Sequence, residues 1–429
     1  MATFLAYTSP AAGHAFPLVP GLLSLQARGH DVHLRTAPEL VDAIRAAGLC
    51  AAPVDERIPA MDGGDGRRLR QGLGGLMARG GLEGRDLAHA IAETDPDVLL
   101  IDTNAYGAAV AAEASGRSWV TVVPSVLPLP GRGIPPYGLG MRPMGGPLGR
   151  LRDRGLWYVV ERLYARAMLP GLNGLRADAG LRPLRSPIQH LLGPDRLIVL
   201  AGDPLEYPRA HLPGPVRLVG AQLWEPPALS PAWLLEDGDP WVLVTCSTGY
   251  QGDQALAAAA IEALRDEPVR VLVTLAGAFG RGDDLPVAEN ARVERFVPHR
   301  AVLERAAVVV CHAGMGIVHK AIGQAVPIVA VPFGRDQPEV ARRVVEAGAG
   351  VALPARRLSP TRLRRAFREA IALGPSARAA SARLHAASGP ARFADAAEEL
   401  AAGQPPRNTS RAWTAVSGKS ENTPSIPSS

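Results

Sequence analysis

Short apolar runs and segments with helical spacing alternate along most of the chain. Residues 3–8 form the first apolar run. Residues 17–28 then place Leu18, Leu22, Leu23 and Leu25 on one face of a helix that Gly29 ends. Residues 31–35 alternate as a second strand, and residues 38–47 read as a helix closed by Gly48. Buried strands follow at 97–101 and 119–123, with an alanine-rich helix at 105–115 between them. Helical material at 151–176 and a strand at 197–200 complete this series. Strands fed by helices in this order build a parallel sheet covered on both faces. Two stretches interrupt the alternation. Residues 63–85, rich in glycine and arginine, read as a long mobile loop, and residues 124–147, dense in proline and glycine, read as a linker or a cleft lining.

Residues 203–240 are proline-rich with little pattern, which places a linker between a domain at 1–202 and a second at 241–402. The second series has apolar runs at 241–246, 269–275, 293–297, 306–311 and 325–332. Helical segments lie at 253–265, 300–305, 318–325 and 339–347, with three more between 360 and 401. From 403 to 429 Ser, Pro, Asn and Thr dominate without an apolar face, the composition of a disordered tail. The expected class is therefore α/β, with two doubly wound, Rossmann-like parallel sheets facing a central cleft. Ligands of such sheets sit at the carboxyl ends of the strands.

Composition narrows the setting. The chain has 429 residues, 47% of them hydrophobic, and no apolar run long enough to span a membrane. Residues 1–9 lack a basic leader and read as a strand, so a cytoplasmic location is expected. The three cysteines, Cys50, Cys246 and Cys311, are too scattered for a disulfide framework or a zinc site. The net charge of +5 comes from interspersed acids and bases. The densest basic cluster, Arg67, Arg68 and Arg70, lacks aromatic interleaving, so no nucleic-acid partner is expected.

The candidate chemistry collects at strand ends. His312, Gly314, Met315, Gly316 and Ile317 lie between an apolar run and a helix, where glycines admit a phosphate to unpaired N–H groups. Asp336 and Gln337 close the loop after the following strand, and Ser247 and Thr248 make a polar turn after strand 241–246. On the other domain, His14 follows the first strand and Asp102 ends a later one. A carboxylate on one ring nitrogen fixes the tautomer and leaves the other nitrogen free to take a proton from a hydroxyl. Two Asp-x-Asp triplets, at 95–97 and 237–239, fall before a strand and in the linker, and read as turn formers rather than ligands for a divalent cation.

These motifs resemble family 1 glycosyltransferases of GT-B fold, and within them the actinobacterial antibiotic and macrolide-type members. The resemblance rests on Pro10, Gly13, His14 and Pro17, on the segment from Asp102 to Gly107, and on His312, Gly314 and Gly316 followed by Pro332, Asp336 and Gln337. It implies that His14 is the general base and Asp102 its partner. It further implies that Ser247 or Thr248, His312 and the glycine turn through Ile317 hold the donor diphosphate, that Val297 borders the base pocket, and that Asp336 and Gln337 grip sugar hydroxyls. The implied reaction is an inverting, metal-independent transfer of a hexose, or a deoxyhexose, from a nucleoside diphosphate sugar to a hydroxyl of a hydrophobic natural product, with no cofactor, by a monomer or homodimer. Where family members often carry a glutamate, this chain has Lys320, which leans the donor from a UDP-sugar towards a TDP-sugar. Two other readings use the same architecture: a sugar-nucleotide epimerase or hydrolase, and a catalytically silent auxiliary protein.

Overall fold

The computed structural model describes residues 1–59, 69–247, 253–275, 285–386 and 389–402. Seven strands form the first sheet: β1 (Thr3–Tyr7), β2 (Asp31–Thr36), β3 (Cys50–Pro53), β4 (Val98–Asp102), β5 (Ser118–Val123), β6 (Arg196–Val199) and β7 (Val216–Leu218). Their spatial order is β3-β2-β1-β4-β5-β6-β7, and every pairing is parallel. The second sheet contains β8 (Trp241–Thr245), β9 (Arg270–Thr274), β10 (Ala291–Glu294), β11 (Ala306–Cys311), β12 (Ile328–Ala330) and β13 (Gly350–Ala352). Its order, β10-β9-β8-β11-β12-β13, repeats the first, again all parallel. Each is doubly wound, with the strand order reversing beside β1 and β8. Sequences such as VLLID in β4 and WVLVT in β8 are buried at every position, because helices cover both faces of the sheet.

Three features depart from the expectation. Strand β7 lies within 203–240 and extends the first sheet. Of the expected loop 63–85, residues 69–85 instead fall in two helices, Leu69–Ala78 and Gly80–Thr94. Gly80 serves close packing: a Cβ on Gly107 would lie 1.8 Å from the Gly80 carbonyl oxygen, so the helices Gly80–Thr94 and Tyr106–Ala114 touch backbone to backbone. Arg67 and Arg68, like the tail 403–429, lie outside the described residues. Finally, the helix Gly389–Ala401 belongs by sequence to the second half but packs on the first sheet's helices. Phe393 fills the space above Gly21, where a Cβ would meet its ring at 2.4 Å, and Arg28 pairs with Asp395 and Glu398. Burying one phenylalanine side chain contributes about 1.5–3 kcal/mol.

The segment 124–147 spans the cleft and docks on the helix Gln337–Glu346 of the second domain. Gly140, with φ +60, comes so close to Pro338 that a Cβ would sit 2.4 Å from its carbonyl oxygen. Beneath it Arg343, 1% exposed at its side chain, pairs with Glu206 and Glu339, both at 3.0 Å, and donates to the Leu205 carbonyl at 2.9 Å. Its guanidinium also lies over the Tyr207 ring at 4.1 Å. This buried charge cluster joins the two domains directly below the loop that carries Asp336.

Candidate functional site

The first wall is built from two loops. After β1 the chain turns into a short helix, Ala12–Ala15, which lifts His14 over the end of β4. There His14 Nδ1 lies 2.9 Å from Asp102 Oδ1, and the Ser9 N–H donates to Asp102 Oδ2 at 3.1 Å. Burial alone pushes the Asp102 carboxyl up, but the charge and hydrogen bond of His14, together with Ser9, outweigh it and hold the group below the ordinary carboxylate value. The acceptor role of this carboxylate places the ring proton on Nδ1, leaving a lone pair on Nε2 that the Asn104 amide meets at 3.3 Å. His14 remains partly open to solvent, with 19% of its side chain exposed. The wall thus presents an oriented imidazole, backed by an ionised carboxylate, to the cleft.

The second wall centres on β11. Ala313 adopts φ +66, a left-handed conformation rare for a residue with a side chain, and so folds the chain sharply between His312 and Gly314. Gly314 is then the N-cap of the helix Met315–Gly323, whose first N–H groups face the turn. A Cβ on Gly314 would fall 2.4 Å from His312 Nε2, so only glycine fits between the ring and the helix. Among the described residues His312 Nδ1 has no hydrogen-bond partner, although it is buried. Burial pulls the His312 pKa below the ordinary value, opposed by Asp253, the Thr245 backbone and Asp336. Ser247 is buried at the end of β8, with its N–H on Asp253, whereas Thr248 lies outside the described residues. Val297 is buried in the core with Met315 and Ile317. The thiols of Cys246 and Cys311 are pushed up to about 12 by burial and are not available as thiolates.

The walls meet at Asp336, whose Oδ2 accepts from Ser125 Oγ at 2.6 Å across the cleft. Tyr137 and Tyr164 face the same carboxylate; burial, with the Asp336 charge adding to it, raises both phenols above their ordinary value. Gln337 turns inward, its Oε1 accepting from the N–H groups of Phe333 and Gly334, so its carbonyl end shapes the loop. Lys320, one helical turn beyond the glycine turn, is paired at 2.8 Å with Glu225 from the segment between the sheets. In the Asp-x-Asp triplets, Asp97 accepts from the Thr3 N–H, Asp95 pairs with Arg117, and the backbone carbonyl of Asp239 accepts from Arg270. Among the described residues, no group of three His, Cys, Asp or Glu side chains is placed to hold a metal ion.

Residues 261–400 match the model of the erythromycin biosynthesis protein CIII-like C-terminal domain. The 4'-demethylrebeccamycin synthase of Lentzea aerocolonigenes is 31% identical over 402 residues, covering 89% of this chain and 94% of that protein. The chain belongs to the glycosyltransferases of antibiotic biosynthesis. Solved structures agree on the fold. The glycosyltransferase of kitacinnamycin superposes with a TM-score of 0.73 at 23% identity, over 93% of this chain and 98% of its own. The glycosyltransferase VinC in complex with dTDP gives 0.64 at 23% identity, over 93% and 98%. The two facing doubly wound sheets are thus the GT-B fold of this glycosyltransferase family, and the protein is a hexosyltransferase. No helix among the described residues is long and apolar enough to cross a membrane.

Contacts that the sequence reading did not anticipate surround these residues. Ser125 and Tyr137 reach Asp336 from a segment without periodicity, and Glu225 reaches Lys320 from one read as a linker. Arg79 and Glu83 lie behind His14 in a segment read as a loop, and only their i, i+4 spacing marks them in the sequence.

Proposed function

We propose that this glycosyltransferase is an inverting, metal-independent enzyme that moves a hexose, in particular a deoxyhexose, from a TDP-sugar to a hydroxyl of a hydrophobic natural product. The 2.9 Å contact between His14 Nδ1 and Asp102 Oδ1 carries this reading. The acceptor hydroxyl displaces the Asn104 amide from His14 Nε2 and gives up its proton there. Its oxygen then forms the new bond to the anomeric carbon as the bond to the nucleoside diphosphate breaks. Asp102 stabilises the resulting imidazolium. The departing diphosphate receives the N–H groups opening the helix Met315–Gly323 and a donor from His312, whose unpartnered Nδ1 fits a phosphate oxygen. These groups balance the leaving charge without a divalent ion. Asp336 exchanges its Ser125 hydrogen bond for a sugar hydroxyl.

The donor class is supported by the Lys320–Glu225 pair, which engages both partners' charges and leaves Glu225 less free to bind a ribose 2′-OH. Replacing His14 with Ala is expected to abolish transfer while dTDP still raises the melting temperature, and EDTA is expected to leave wild-type turnover unchanged. Equal loss of transfer and dTDP binding in H14A refutes the base assignment, and loss of turnover on chelation refutes metal independence.

A further inference from the structure

Behind the His14–Asp102 pair lies a second buried pair that the reaction above does not use. Arg79 Nε and Glu83 Oε1 are 2.6 Å apart, with side-chain exposures of 3% and 0%. Arg79 Nη2 donates to Ser9 Oγ at 2.8 Å and to the Asn104 carbonyl at 3.1 Å. Glu83 Oε2 accepts the Gly107 N–H at 3.0 Å, one of the unpaired donors opening the helix Tyr106–Ala114. Ser9 sits on the loop after β1 that carries His14, and its N–H holds Asp102. Asn104 and Gly107 sit on the loop after β4 that Asp102 begins. One ion pair therefore ties together the two loops whose relative position sets the His14–Asp102 distance. Burying such a pair is a weak source of stability, because desolvation offsets most of the attraction.

We infer that Arg79, held by Glu83, is a positioning residue that sets the geometry of the His14–Asp102 base pair through Ser9 and Asn104. This rests on the proposed role of His14. The charged and titratable groups around the pair are His14 and Asp102 on the cleft side, Tyr7 and Asp86, which hydrogen-bond at 2.9 Å, and Tyr106. Burial pushes the Glu83 carboxyl up to about 7, against the pull of Arg79 and Gly107 and with the Asp102 charge adding to it. Glu83 is therefore ionised, and offsets the Arg79 charge beside the His14–Asp102 pair, above about pH 7.

The test uses the full chain in four variants: R79M, R79K, E83Q and R79M/E83Q, the last removing the ion pair without leaving either charge alone. The His14 ring Cε1–H resonance is recorded by NMR as a reporter of ring position, and kcat and donor KM are measured with a TDP-hexose and a panel of hydroxylated aromatic acceptors. R79M and R79M/E83Q are expected to lower kcat by about 100-fold, the cost of a misplaced base, with donor KM unchanged. R79K is expected to recover part of the loss. E83Q is expected to lower kcat less than R79M does, since Arg79 keeps its hydrogen bonds to Ser9 and Asn104. Wild-type kcat in the folded R79M/E83Q protein overturns the inference, as does a His14 Cε1–H resonance that does not move in that protein. Should the wild type transfer no sugar, the functional reading fails, while the His14 Cε1–H resonance of R79M/E83Q still decides whether Arg79 positions the ring.

Discussion

Replacing Asp102 with Asn tests the base assignment most directly, because the change removes a charge and almost no volume. In the wild type the carboxylate accepts from both His14 and Ser9. An asparagine cannot satisfy both. With its amide towards Ser9, two donors face each other. With its amide towards His14, Nδ1 becomes the acceptor, the proton moves to Nε2, and the base is lost. The electrostatic part can be sized from the 2.9 Å contact and the burial of Asp102. At the effective dielectric of partly buried sites, opposite charges about 4 Å apart attract by about 4 kcal/mol, which is lost from the transition state and corresponds to about a thousandfold in kcat. The assay is kcat at saturating TDP-sugar, with the dTDP-induced thermal shift confirming that the donor wall is intact. A kcat within tenfold of wild type, with that shift preserved, refutes the reasoning. The same variant has a pH signature. Asp102 has a depressed pKa in the folded protein, so its stabilising contribution is present above the unfolded value of about 3.9 and is lost as the pH falls through the folded value. The stability difference between wild type and D102N, read from urea midpoints, therefore narrows below about pH 4.

Three further outcomes follow from other parts of the structure. G314A drives a Cβ to 2.4 Å from His312 Nε2 and is expected to weaken dTDP binding at least tenfold by calorimetry, while the unfolding transition moves little. R343M leaves Glu206 and Glu339 buried without their cation and is expected to cost about 3–5 kcal/mol in chemical denaturation; a loss under 1 kcal/mol refutes the interdomain role of the cluster. In a panel of dTDP, UDP and GDP, dTDP is expected to give the largest rise in melting temperature; equal shifts for dTDP and UDP remove the argument from Lys320 and Glu225.

The alternation of buried runs and helical segments was legible along the chain, because parallel strands covered on both faces need unbroken apolar sequence, and β4, β8 and β11 supply it locally. The same logic marked His14, Asp102 and His312 as strand-end residues, since a polar group directly after such a run stands at the edge where ligands bind. Segment 69–85 was misread because glycine has two uses. It loosens an exposed chain, and it lets buried helices touch; the sequence shows the residue but not the partner, here Gly107 against Gly80. What the tertiary structure decided is the set of contacts between segments distant along the chain: Ser125 with Asp336, Lys320 with Glu225, Arg343 with Glu206, and Arg79 with Ser9 and Asn104. No periodicity announces them, because each depends on where two independently folded loops are carried by their sheets. The sequence by itself placed the reactive groups at the edges of two sheets; the packing of one sheet's loops against the other's determined which of those groups meet.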